Sequence, residues 1–199
     1  METLIYSEQK NGAHLTNEQI NMILDGCRFN QRDAQKKLYH TYYGYAMSIT
    51  FRYSHNHDTA VEITNDAFLK VYRRLKYFKP ICDNTVASFI AWFKKVLVNT
   101  SIDHIRKYNK KRMIAIVDTD QLMLADERET AEQMLQHKEI IKCIRQLSPA
   151  CNAVFNLHVI EGFSHAEIAG KLNITEDTSK SNLFKARQNL QQLLQKVIL

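Results

Sequence analysis

Lys95, Asn99, Asp103 and Lys107 follow one another at steps of four. On a helix that spacing puts two ammonium groups, a carboxamide and a carboxylate in one row. Cations bind phosphate oxygens, and an amide that donates and accepts at once reads a base edge. Trp92 and Phe93 stand at the head of the row and offer the flat surface on which an unstacked base rests. Lys94 and Arg106 flank the row, and Lys107, Lys110, Lys111 and Arg112 continue it as a basic cluster. The chemistry is that of holding a nucleic-acid strand. An ordinary solvated helix with Trp92 and Phe93 in its core has the same composition, so the segment alone leaves both readings open.

Two further sets share this character. Asp66, Leu69, Lys70, Arg73 and Lys76 fall on the outer side of a second helical pattern, where a leucine among charges reads as a protein-docking face. Thr178, Ser179, Ser181 and Asn182, with Lys180, Lys185 and Arg187 along the same stretch, supply the hydroxyls, amide and cations that a major-groove helix uses. A fourth group, His55, His57 and Asp58, holds metal-ligand residue types. Asp58 is better placed as the cap of a following helix, and no metal site is expected.

The elements that position these sets are helices. Gly 5 and Pro 2 are low counts for 199 residues, and no alternating strand pattern of useful length occurs. The spacing predicts a helix over Ser88–Tyr108 with Phe89, Phe93, Val96, Leu97 and Thr100 as its buried stripe. Earlier helices are expected from an Asn17 cap to about Gly26, then from Gln31 through Leu38 and Tyr42. The next runs from Asp58 through Phe68 and Leu75 to a stop at Lys79-Pro80.

Later, Ile140, Ile141, Ile144 and Leu147 form one helix. Ser148-Pro149 opens another, carried by Val154, Phe155, Leu157 and Val159 and closed by Gly162. Ser164 and Glu167 make a capping box, and the turn Asn173-Ile174-Thr175 leads into a last helix from Glu176. Short helix, tight turn and longer helix are the layout of a helix-turn-helix. The fold class expected is all-α. A flexible N-terminus, 1–16, precedes a first helical domain, 17–112. An acidic linker, 113–131, joins it to a helix-turn-helix domain, 132–199.

Charge is divided unevenly. Residues 1–112 carry 18 Lys/Arg against 10 Asp/Glu, and residues 113–199 carry 9 against 11, within an overall +6. A basic front half points to a polyanionic partner. Cys27, Cys82, Cys143 and Cys151 form no CxxC pair and match no zinc spacing, as expected of reduced, mostly buried thiols in a cytoplasmic protein. No apolar run is long enough to span a bilayer, and no Gly-rich phosphate loop is present, so neither membrane insertion nor a nucleotide cofactor is expected.

In order and spacing, the chain from about 20 to 195 resembles a bacterial RNA polymerase sigma factor of the sigma-70 family, extracytoplasmic-function type. Asp66-Ala67-Phe68-Leu69-Lys70 with Leu75 is similar to conserved region 2 of that family, which docks on the clamp helices of the polymerase β′ subunit. On that basis Asp66, Phe68, Leu69, Lys70 and Arg73 are the expected polymerase contacts. Phe89, Trp92, Asn99, Asp103 and Arg106-Lys107 match the signature that reads and opens the −10 element, so Trp92, Lys95, Asn99, Asp103, Arg106 and Lys107 are the expected contacts there.

Gly162-Phe163-Ser164, Glu167-Ile168-Ala169, Leu172, Ile174, Thr178, Lys180-Ser181 and Ala186-Arg187 resemble region 4, which binds the −35 element and the β flap. Thr178, Ser179, Lys180, Ser181, Asn182, Lys185 and Arg187 are the residues implied. The sequence departs from the family at Asp177, where glycine is frequent, at Ser179, where valine is usual, and at Asn182, where arginine often stands. These departures bear on which −35 sequence is read.

The resemblance implies no catalysis and no cofactor. It implies core RNA polymerase and promoter DNA as partners, a controlling anti-sigma factor, and weak promoter binding until polymerase holds the two domains apart. Two rivals remain: a stand-alone helix-turn-helix regulator, and a metal enzyme built on His55, His57 and Asp58.

Overall fold

The computed structural model describes residues 15–114 and 135–198, and these described residues form eight α-helices and no strand. They are α1 (Asn17–Arg28), α2 (Arg32–Thr50), α3 (His57–Arg74), α4 (Thr85–Ile114), α5 (Leu135–Gln146), α6 (Pro149–Phe155), α7 (His165–Leu172) and α8 (Glu176–Ile198). They pack as two units, one of residues up to 48 with 64–97, the other of 49–63 with the chain from 98 onward. The N-terminus before residue 15 and most of the expected acidic linker lie outside the described residues. Met113 and Ile114, assigned to that linker, close α4.

The first unit is organised by the apolar stripe of α4. Phe89 and Phe93 are fully buried and stacked at 5.6 Å. Phe68 of α3 lies 5.2 Å from Phe93, and Tyr42 of α2 lies 5.1 Å from Phe89. Ring pairs at such distances add to their area burial. Gly26 lets α1 pass close to α2, since a Cβ there would meet the Ala34 Cβ at 2.6 Å.

Several expected helix ends move. Thr16, not Asn17, caps α1, in a reciprocal capping box with Gln19. The Asn17 amide instead donates to the Asp83 carbonyl at 3.0 Å, tying α1 to the loop before α4. Asn56 rather than Asp58 caps α3, accepting from Thr59 N–H at 2.8 Å. α3 ends at Arg74, before Lys79-Pro80, and continues as a 3₁₀ turn, Leu75–Tyr77. Arg28 donates to the carbonyls of Leu75 and Phe78 at 3.4 and 3.0 Å, satisfying groups that a continuing α ladder would have used.

The second unit carries the C-terminal helices. Cys143, Ile144, Leu147, Cys151, Ala186 and Leu190 form a buried cluster of α5, α6 and α8. α6 has Pro149 at its first position, and Ser148 makes no side-chain cap bond. The helix widens into a π turn over Asn156–Ile160, which rotates Val159, expected inward, to 48% exposure. Gly162 follows with φ +78, a conformation other residues avoid. Ser164 and Glu167 form the expected capping box of α7. Asn173 ends that helix in the left-handed region, and Thr175 Oγ1 accepts from Thr178 N–H at 3.1 Å to start α8.

The end of α2 and the 3₁₀ turn Phe51–Tyr53 belong to this unit as well. Arg145 of α5 is buried, stacks its guanidinium 3.7 Å from the Phe51 ring centroid, and donates to the carbonyls of Ser54 and His55 at 3.2 and 2.8 Å. Cys27, Cys143 and Cys151 are buried thiols, and Cys82 is exposed.

Candidate nucleic-acid interface

α4 presents the row its spacing predicts. Lys95, Asn99, Asp103 and Lys107 are all exposed, while Val96, Leu97, Thr100 and Ser101 between them are buried. Trp92 is half-buried, with its ring 5.2 Å from Phe78 and 6.0 Å from Phe89. The indole is thus fixed on its inner side by two phenyl rings, a rigid wall beside the row. Arg106 does not join the row. It is half-buried, and its Nη2 donates to the Gly170 carbonyl of α7 at 3.1 Å. Lys110, Lys111 and Arg112 continue the helix, but their side chains lie outside the described residues.

On α3, Asp66, Leu69 and Arg73 are exposed, and Leu69 is 51% accessible. Lys70 is half-buried beside them. Phe68 corrects the expectation. It is 2% exposed and packs against Tyr39 at 4.7 Å, Phe93 at 5.2 Å and Tyr72 at 6.2 Å. It belongs to the core, because its position one residue before Leu69 turns it by about 100° toward α2 and α4. Phe29 and Tyr77, which sequence reasoning passed over, are 78% and 73% exposed. Both flank the Arg28 bracket at the C-terminal ends of α1 and α3. The only signal for them was that each stands just past an apolar stripe rather than on it.

α8 is the second helix of the helix-turn-helix. Thr178, Lys180, Ser181, Lys185 and Arg187 are exposed, and Asn182 is half-buried. The Ser181 hydroxyl donates to the Thr178 carbonyl at 3.1 Å, and Thr178 Oγ1 lies 2.8 Å from Thr175 Oγ1. Lys180 Nζ lies 3.5 Å from Asp177 Oδ1, a contact between exposed groups that water and salt weaken.

Ser179, expected at DNA, is fully buried, and its hydroxyl lies 2.9 Å from His165 Nδ1. It shares the inward face with Leu183, Ala186 and Leu190, so it holds α8 on α7 and offers no atom to a groove. His165 in turn stacks on His158, with ring centroids 4.5 Å apart and planes within 14°. Burial, and then the charges of His158 and Lys180, hold His165 below the ordinary imidazole value of 6.5. Phe184, not foreseen, is 62% exposed and stands three residues after Ser181 on the open face.

His55, of the alternative metal set, donates through Nδ1 to the Arg145 carbonyl at 3.2 Å, and His57 is in solvent. Among the described residues no group of three or more His, Cys, Asp or Glu side chains is arranged to hold a metal ion.

Residues 38–111 match the family model for sigma-70 region 2, and residues 137–190 match that for sigma-70 region 4. Together the matches take in more than half of the chain. The chain belongs to the sigma-70 family. α4 falls in its region 2 and α7–α8 in its region 4. Its relatives include the ECF RNA polymerase sigma factor SigE of Mycolicibacterium smegmatis, 26% identical over 152 residues that make up 74% of this chain and 56% of that protein. The RNA polymerase sigma-H factor of Pseudomonas aeruginosa is 22% identical over 194 residues, 92% of this chain and 98% of that one. The chain thus spans little more than half of the first relative and nearly all of the second. Among solved structures, the sigma factor RpoE in complex with the anti-sigma factor NepR from Bartonella quintana aligns at TM-score 0.46 and 20% identity, over 80% of this chain and 96% of that one. No described helix of this sigma-70 family chain is long and apolar enough to cross a membrane.

Proposed function

We propose that this chain binds core RNA polymerase and directs it to promoters, reading the −10 element with α4 and the −35 element with α8. The observation that carries the reading is the pair of exposed polar and cationic helix faces, one in each matched region. Lys95, Asn99, Asp103 and Lys107 make the first, and Thr178, Ser181, Lys185 and Arg187 the second. The α3 face of Asp66, Leu69, Lys70 and Arg73 is assigned to the β′ clamp helices. Residues 17–112 and 132–199 act as the two DNA-facing domains, with 113–131 as the connection between them.

The chemistry is binding without bond-making. Melting the −10 element takes bases out of their stack at a few kcal/mol per step. Stacking on an aromatic wall such as Trp92 returns about 1–3 kcal/mol per base, and the cations beside it hold the phosphates. The recognition helix reads intact duplex, where Ser181, Asn182 and the cations reach base edges and backbone. The protein acts in the cytoplasm, catalyses no reaction itself, and is subject to a partner of the anti-sigma kind.

Run-off transcription with purified core polymerase, followed by sequencing of the start sites, tests the proposal. Selective initiation from a small set of sites with a shared pair of elements is expected. Failure of core to retain the chain, or unselective initiation, refutes it. A stand-alone regulator would instead bind duplex tightly without core, and a gel shift with and without core separates the two.

A further inference from the structure

We propose that His158, His165 and Ser179 form a proton-sensitive seat for α8, so that the recognition helix loses its sequence discrimination when His165 takes up a proton. The two imidazoles are stacked, with centroids 4.5 Å apart and planes within 14°, where the π turn after α6 meets the first residue of α7. The hydrogen bonds around them fix where the protons sit. A main-chain carbonyl only accepts, so His158 donates to the Phe163 carbonyl through Nδ1 at 2.9 Å. The Ser179 hydroxyl is fully buried, and His165 Nδ1, 2.9 Å away, is its hydrogen-bond partner among the described residues. Lacking another acceptor there, the hydroxyl donates. The neutral His165 ring therefore accepts at Nδ1 and carries its own proton on Nε2.

A protonated His165 no longer accepts. Both of its ring nitrogens become donors, and the Ser179 O–H is left buried without an acceptor. Burial first, then His158, Lys180 and Arg187, oppose a proton on His165, and Glu176 favours it. On α7 itself the Glu167 carboxylate accepts from the Ser164 N–H and hydroxyl at 2.9 and 2.8 Å, and Lys171 Nζ lies 4.6 Å from the Phe163 ring centroid. His165 thus charges only as the pH falls below the ordinary imidazole value of 6.5.

Ser179 passes this change to the DNA-facing side. It stands between Thr178 and Lys180, both exposed. Its N–H bonds the Thr175 carbonyl at 3.0 Å, so it is part of the first turn of α8. Turning the buried hydroxyl away from α7 turns Thr178, Lys180 and Ser181 with it. Base edges are read through hydrogen-bond geometry, whereas phosphates attract cations whatever the sequence. A proton on His165 adds a charge that favours any duplex and misaligns the helix for one of them. Its signature is lost discrimination rather than lost affinity.

Only the consequence for discrimination rests on the reading of α8 as the −35 helix; the seat stands on the contacts themselves. Holoenzyme affinity is measured for a duplex carrying the −35 element found by start-site mapping and for one with that element scrambled, between about pH 7.5 and about pH 5. The ratio of the two is expected to fall by about fivefold or more toward acid, the factor for one buried hydroxyl left without its acceptor. His165→Asn keeps an acceptor for Ser179 and cannot titrate, and Ser179→Ala needs no acceptor. In both variants the ratio is expected to stay flat. A discriminating unaltered chain whose ratio does not fall, or a fall of equal size in the variants, overturns the proposal. NMR on the full chain gives a second readout. The amides of residues 176–182 are expected to shift with the midpoint of the His165 ring protons, and amides that ignore that titration overturn the seat. If they follow it while holoenzyme discriminates at no pH, the seat stands and the −35 assignment fails.

Discussion

Phe68 and Leu69 are neighbours in one motif, and the structure separates their roles sharply enough to test. Phe68 is 2% exposed with three aromatic rings within 6.2 Å of its own. Truncating such a ring loses its transfer free energy and leaves a cavity, about 3–5 kcal/mol together. Phe68→Ala therefore removes a large part of the stability of the first unit, set against the 5–15 kcal/mol typical of a whole domain. Leu69 is 51% exposed, so Leu69→Ala costs folding less than about 1 kcal/mol. If Leu69 anchors the docking face, its loss weakens core binding by about 1–2 kcal/mol, or about five- to thirtyfold.

Denaturant unfolding and core-polymerase affinity, measured on both variants, give the contrast. Phe68→Ala should unfold at much lower denaturant, with core affinity recovered under conditions where it is folded. Leu69→Ala should unfold as the unaltered chain does and bind core weakly. An unstable Leu69→Ala, or a stable Phe68→Ala with impaired core binding, refutes this division of the motif into a core residue and a contact residue.

Three other outcomes follow from the same geometry. Lys185→Ala should reduce the slope of log affinity against log salt for −35 duplex by about 0.9, one phosphate's worth, measured with holoenzyme; an unchanged slope removes Lys185 from the backbone. Phe184→Ala should lower discrimination against base changes in the −35 element with little change in the salt slope, because an exposed phenyl reads thymine methyl groups rather than phosphate; equal weakening on all sequences contradicts this. His165 has a folded-state value below 6.5, so the unfolded chain binds more protons as the pH falls below about 6.5, and stability should fall with it. His165→Asn should flatten that pH dependence in thermal melts, and an identical profile would exclude His165 as its source.

The sequence by itself settled what is local. An i, i+4 repeat fixes a helix face whatever surrounds it, so the row Lys95, Asn99, Asp103 and Lys107 and the buried stripe Phe89, Phe93, Val96 and Leu97 stand where the spacing put them. The capping box at Ser164 and the turn at Asn173 were legible for the same reason, since a helix end is decided within four residues. Tertiary structure alone decided which side chains lie just inside the edge of a face. Phe68 already stood with Val61, Val71 and Leu75 on the apolar side of its helix by spacing, and only the resemblance counted it as a contact. Ser179 sits one residue from exposed neighbours, and only the packing of α7 and α8 turns it inward. It also decided what the arginines do. Arg28, Arg106 and Arg145 each donate to carbonyls 47 to 91 residues away in the chain, and Arg52 pairs with a carboxylate 109 residues away. A long cationic side chain has no periodicity that betrays such a partner. Its partner exists only once the backbone has folded and brought the acceptors together.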